Sequence, residues 1–222
     1  MALNLIMLGP PGAGKGTQAE RFGRNRGIPK ISTGDILREA VHDGTEIGRR
    51  AMAIMDRGEL VSDEVMIGIV GERLARADAQ GGFILDGFPR TVAQAIALDG
   101  LMTGRDPLIV IEVVVPENEL VRRLSTRMIC DSCGHNAPLG DGHSNEPCPL
   151  CGGQLVQRSD DSQAVVLERL KVYRANTKPL VDFYCGRPTF RSINGAQAPD
   201  RVAADLVAAI EAAGNGSLGG TR

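Results

Sequence analysis

The sequence predicts an α/β fold, a parallel sheet with helices packed on both faces. Three observations carry this. Apolar runs alternate with amphipathic stretches along most of the 222 residues. The run "PLIVIEVVV", residues 107–115, is rich in β-branched side chains, as a buried strand requires. An earlier run, residues 3–8, ends in Gly and Pro and leads through a glycine-rich turn into a helical pattern.

The elements follow in order. Residues 3–8 read as a buried parallel strand, and a helix runs from about 14 to 26 before Gly27 and Pro29 punctuate it. Residues 32–61 are smaller and mixed, with helical spacing in "DILREAV" and "EIGRRAMAIM". Ser62 stands where an N-cap for "DEVMIGIVGERLARA" belongs. "GGFILDGFPR" is a strand ending at Asp86, and "TVAQAIALDGLM" is helical. "PENELVRRLSTR" is a helix that runs straight into Cys130. "SDDSQAVVLERLKVYRANTKPLVDFY" is one long helix or a bent pair. "TFRSI" is a last strand, "PDRVAADLVAAIEAA" a last helix, and "GNGSLGGTR" a frayed tail. No internal repeat stands out.

Bulk properties narrow the function. Hydrophobic residues make up 42% of the chain, enough for a sizeable core. The formal net charge is -2, which argues against coating DNA or a membrane, so an anionic ligand would need local clusters of Arg and Lys. No stretch approaches the roughly 18 apolar residues of a membrane span. The opening "MALNLIML" lacks the basic start and cleavage site of a secretory signal. The expectation is a cytoplasmic protein with neither nucleic acid nor membrane as partner.

"GPPGAGKGT", residues 9–17, sits after a strand and before a helix. In that place glycines let backbone N–H groups face phosphate oxygens, the helix N-terminus adds positive potential, and Lys15 reaches the terminal phosphates. Gly16 follows Lys15 directly, and Thr17 comes next.

Four of the five cysteines form two C-x-x-C pairs, Cys130 with Cys133 and Cys148 with Cys151, separated by the 14 residues 134–147. That spacing suits a tetrathiolate metal site, with zinc or iron as the ion. Four thiolates leave no open position for catalysis. A nucleic-acid ribbon wants basic and aromatic residues, and "GHNAPLGDGHSNEP" contains no Lys, Arg, Phe, Tyr or Trp. A structural staple remains. His135 and His143 are read as solvent-facing, His42 as a surface helix residue and Cys185 as a helix packing residue.

"ISTGDILR", "DGFPRT" and "QRSDD" accompany the glycine-rich loop in order along the chain. Together the four motifs closely resemble adenylate kinases of the bacterial long-lid type, over nearly the whole length. The resemblance implies a P-loop nucleoside triphosphate-binding fold with a parallel five-stranded sheet, an AMP-binding insert and a metal-stapled lid. Residues 1–31, 62–125 and 162–222 would form the core, 32–61 the insert and 126–161 the lid. The implied reaction is ATP + AMP to 2 ADP, in a monomer using Mg²⁺ with the nucleotide and one structural Zn²⁺, iron being the other option. Another acceptor or GTP as donor is the alternative within the same fold.

The same resemblance assigns residues. Lys15, Arg90, Arg123, Arg127, Arg158, Arg169 and Asp86 are the catalytic set, with Asp86 organising Mg²⁺ and Asp35 a weaker candidate for that shell. Gly12, Ala13, Gly14, Lys15, Gly16, Thr17, Arg123, Arg127 and Gln197 bind ATP. Thr33, Arg38, Glu59, Leu60, Val61, Gly87, Phe88, Pro89, Arg90, Gln94, Arg158 and Arg169 bind AMP, with Thr33 and Gln94 at its base. Phosphoryl transfer needs positioning and charge stabilisation more than general bases, so arginines on several elements fit the chemistry. Met128, Ala137 and Pro138 replace residues usual in such lids, from which weak discrimination among triphosphate donors is expected.

Overall fold

The computed structural model describes residues 2–137 and 147–216. Five parallel strands form the central sheet: β1 (Leu3–Leu8), β2 (Lys30–Ser32), β3 (Gly82–Asp86), β4 (Leu108–Val114) and β8 (Phe190–Asn194). Their spatial order is β2-β3-β1-β4-β8. Residue-level reading finds four of these strands. The fifth, β2, is three residues long and begins with Lys30, too short to show an alternating pattern.

Helices cover both faces, and alternate residues of each strand enter different cores. Leu5 and Met7 of β1 join Phe22, Ile111, Leu124 and Leu206 on one side. Ile6 and Leu8 join Phe83, Leu85, Leu98 and Tyr184 on the other. Burial on both faces explains the near-continuous apolar runs. The first face is built with α1 (Lys15–Arg26), α6 (Glu117–Ser125), α7 (Gln163–Val172) and α9 (Pro199–Gly216). The second uses α2 (Thr33–His42), α3 (Glu46–Asp56), α4 (Asp63–Ala75), α5 (Val92–Leu101) and α8 (Pro179–Tyr184).

Local signals act as chemistry dictates, with one exception. Ser32 caps α2 by accepting from Asp35 N at 3.3 Å, and Thr91 caps α5 by accepting from Gln94 N at 3.2 Å. Ser62 occupies the N-cap of α4, but its side chain makes no capping bond, and Asp63 and Glu64 supply the negative charge of the first turn. The stretch 159–184 is neither one helix nor a simple pair: a π-helical turn, Tyr173–Thr177, joins α7 to α8. Cys185, expected to pack within a helix, is exposed at the end of α8. His42 is exposed, whereas His135 is half-buried.

Between α6 and α7 lies a small antiparallel sheet in the order β6-β5-β7: β5 (Met128–Cys130), β6 (Asn136–Ala137) and β7 (Leu155–Gln157). Pro138 and His143 lie outside the described residues.

Candidate active site

Register places the site. Met7 of β1 and Ser32 of β2 both pair with Asp86 of β3, so three strands end along one edge of the sheet. The segments that follow them open onto one cleft of about 680 Å³, as is usual at the carboxyl ends of parallel strands. The lid sheet, α6 and α7 supply further walls.

The loop after β1 turns through positive φ at Gly9, Gly12 and Gly14, and Gly14 caps α1 in the left-handed conformation. Lys15 is the first residue of α1, and its ammonium donates to Pro10 O at 2.9 Å. Burial lowers the Lys15 pKa to about 8; Asp86 opposes this, while Arg90, Arg169 and Arg127 add to it. A Cβ at position 16 would stand 3.0 Å from Asp86 Oδ2, so Gly16 leaves that carboxylate room beside the loop. Gly12, Ala13, Gly14, Lys15, Gly16, Thr17, Arg123, Arg127 and Gln197 all line the cleft. Gln197 is held by its Nε2, which donates to Asn194 O at 2.9 Å and Asp205 Oδ2 at 2.8 Å.

An adjoining pocket of about 60 Å³ is lined by Thr33, Glu59, Val61 and Gln94. Arg38, Leu60, Gly87, Arg90, Arg158 and Arg169 border both spaces. Pro89 faces the larger one. Phe88 faces neither, because its ring is buried in the core at 1% exposure. Arg38 lies over Gly34, where a Cβ would come within 3.1 Å of its guanidinium. Thr33 Oγ1 donates to Gly87 O at 2.9 Å, and Arg90 Nε donates to the same oxygen at 2.8 Å. Gln94 is buried and pinned at both ends: Oε1 accepts from Arg90 N at 2.7 Å and Nε2 donates to Asp63 Oδ1 at 2.8 Å. One N–H and one lone pair remain for a ligand.

The arginines need counter-charges, and the structure supplies residues that sequence reasoning left without roles. Arg127 meets Asp161 in a two-pronged contact, both distances 2.6 Å. Arg158 meets Asp160 in the same way, both at 2.8 Å. Arg169 joins the two, donating to Asp161 Oδ1 at 2.8 Å and Asp160 O at 2.9 Å. Burial alone would raise the Asp160 pKa, but Arg169 and then Arg158 hold it well below the usual carboxylate range. Burial lowers Arg169 to about 10, with Asp160 opposing. Arg123 donates to Glu119 Oε1 at 2.7 Å, and hydrogen bonds from Arg122 and Arg123 hold Glu119 at about 2. The doublet in "QRSDD" was the visible signal for Asp160 and Asp161. Asp35, read as a weaker Mg²⁺ candidate, pairs with Arg38 and Lys30.

The four cysteines come together as their spacing predicts. All four Sγ atoms lie within 4.8 Å of one another, with Cys130 to Cys151 at 3.4 Å and Cys133 to Cys148 at 3.7 Å. The two knuckles repeat one geometry. Cys130 N donates to His135 O and Gly134 N to Cys130 O; Cys148 N donates to Gly153 O and Gly152 N to Cys148 O. Tetrahedral bonds of about 2.3 Å to zinc would set sulfurs about 3.8 Å apart, so the set fits a closed metal site.

A phosphate-binding loop beneath converging arginines defines a phosphotransferase of the P-loop class. The family model for adenylate kinase matches residues 7–188. An adenylate kinase from Archaeoglobus fulgidus is 50% identical, covering 94% of this chain and 98% of its own. Those from Geobacter sp. and Thermodesulfovibrio yellowstonii are 49% and 46% identical, over 95% and 94% of this chain and 100% and 99% of theirs. The chain belongs to the adenylate kinase family, whose reaction is the reversible transfer of a phosphoryl group between ATP and AMP, giving two ADP.

Proposed function

We propose that the donor triphosphate lies over the loop 9–17, that AMP occupies the smaller pocket, and that the phosphoryl group passes between them under Arg127, Arg158 and Arg169. The observation that carries this reading is the convergence of Lys15, Lys30 and seven arginines, drawn from several elements, on two joined spaces in a chain of net charge -2. Substrate phosphates bring about six negative charges into the cleft, and fixed cations stabilise charge that develops in transfer without reorganising. Lys15 and the backbone N–H groups of the loop hold the donor phosphates. Arg38 and Arg90 hold the acceptor phosphate. Arg123, Arg127, Arg158 and Arg169 surround the group in flight. Asp160 and Asp161 hold three of those arginines in their forks and donate nothing to the chemistry themselves.

Two metals belong to this reading. Mg²⁺ arriving with the nucleotide neutralises phosphate charge, and Asp86, beside Gly16 and Lys15, is the carboxylate placed to meet it. Zinc at Cys130, Cys133, Cys148 and Cys151 is structural, because four thiolates leave no open position. Cysteines gathered as a metal-ligand set suit a reducing cytoplasm. Among the described residues, no helix is long and apolar enough to cross a membrane. The reading is of a monomer acting on small nucleotides.

The lid contacts the donor through phosphates. Met128 packs against the cysteine cluster, and Ala137, at the cleft, has no polar side chain to read a base. A coupled assay with a panel of monophosphates and triphosphates tests the assignment. AMP should be the preferred acceptor, and ATP, GTP and CTP should differ in kcat/KM by less than about a thousandfold. No transfer to AMP from any donor would overturn the reading.

A further inference from the structure

Arg38 has a competitor for the acceptor phosphate. Its guanidinium is paired with Asp35, one turn earlier on α2. Asp35 is held in place by the Ser32 cap, which accepts from its backbone N–H. A bare carboxylate beside the guanidinium would share the cation and repel an incoming phosphate. The structure places a second cation on it. Lys30, the first residue of β2, sets its ammonium 3.4 Å from Asp35 Oδ2 and 3.2 Å from Glu20 Oε2 on α1. The Lys30 side chain is 19% exposed and lines the same cleft as Asp35 and Arg38.

We propose that Lys30 is a positioning residue for the acceptor: it neutralises Asp35 so that Arg38 is released to the acceptor phosphate. This rests on the reading of Arg38 as an acceptor ligand. Lys30 itself touches no substrate in this scheme. The carboxylate is shared by two cations before the acceptor arrives. When the phosphate enters, Arg38 turns toward it and Lys30 retains Asp35. Asp35 then keeps a cationic partner in both states, which a lone Asp35–Arg38 pair would not allow. Glu20 fixes the lysine from the opposite side and keeps it off the phosphate.

The test is steady-state kinetics of Lys30→Met, Lys30→Arg, Asp35→Asn and the double variant Lys30→Met with Asp35→Asn. Wild-type turnover of ATP with AMP is measured first, and its absence would sink the parent reading rather than this one. Lys30→Met is expected to raise the KM for AMP about tenfold, leaving the KM for ATP within about twofold and kcat little changed. Lys30→Arg should restore most of the AMP affinity. In the Asp35→Asn background, Lys30→Met should cost nothing further, because no carboxylate is left to neutralise. Three results would overturn the proposal: an unchanged KM for AMP, equal losses for both nucleotides, or a full loss from Lys30→Met in the Asp35→Asn background. The last two would make Lys30 a general support of the cleft.

Discussion

The floor of the cleft and the small antiparallel sheet that walls it, the proposed lid, are held together by different means. The floor hangs from five parallel strands buried on both faces, so Lys15 and Asp86 are aimed by a large apolar core. The lid has no such core. Its described buried cluster is Cys130, Ala137, Cys148 and Leu155, with Met128 against it. Burial at about 25 cal/mol per Å² cannot order so small a unit alone, and a metal at the four cysteines would supply what apolar area does not. A floor built this way can aim Lys15 into the cleft, whereas the small sheet depends on its cysteine cluster for its shape.

Replacing Lys15 breaks the floor's function while sparing its fold. Lys15→Met is expected to lower kcat by about 10²–10³-fold or more, with an unchanged circular dichroism spectrum. Its pKa of about 8 against an ordinary 10.5 adds a stability signature. Between those values the unfolded chain holds a proton that the folded chain has released, so the Lys15 contribution makes wild-type stability rise as pH climbs through that window. The variant should lack that rise and be no less stable below pH 8, as read from urea titrations at several pH values.

The ion-paired contact between the two regions comes next. Asp161→Asn leaves Arg127 and Arg169 without a buried carboxylate, and loss of one partner of such a pair costs about 3 kcal/mol. Melting should fall by roughly 5–10 °C, and kcat should fall more than either KM rises, because Arg127 and Arg169 lose their aim. A variant with wild-type melting and turnover would show that Asp161 does not hold these arginines in place. Gln94→Leu is milder and confined to the floor. It strips partners from Arg90 N and Asp63, at about 1–3 kcal/mol, and should raise the KM for AMP while narrowing its lead over other monophosphates. An unchanged acceptor profile would take Gln94 out of the base site.

Much of the floor was legible in the sequence. The runs of β1, β3 and β4 are long or apolar enough to declare themselves, and the loop 9–17 declares its chemistry by its place between strand and helix. β2 was not legible, because Lys30-Ile31-Ser32 carries no periodicity and exists by pairing with β3. The lid strands are equally short and follow from the cysteine knuckles. Candidate site residues announced themselves by motif, but their partners did not. Asp63, Asp160 and Asp161 act through contacts of Gln94, Arg158 and Arg127 that only folding creates. Phe88 shows the converse: it sits inside a site motif and serves the core.

The most direct test of the difference between floor and lid is amide hydrogen exchange on the metal-loaded and the chelator-stripped protein. The account predicts that stripping exposes the amides of residues 128–137 and 147–157 while β1, β3 and β4 keep their protection. Unchanged lid protection, or loss spread evenly through the central sheet, would contradict the claim that metal holds the lid and the apolar core holds the floor.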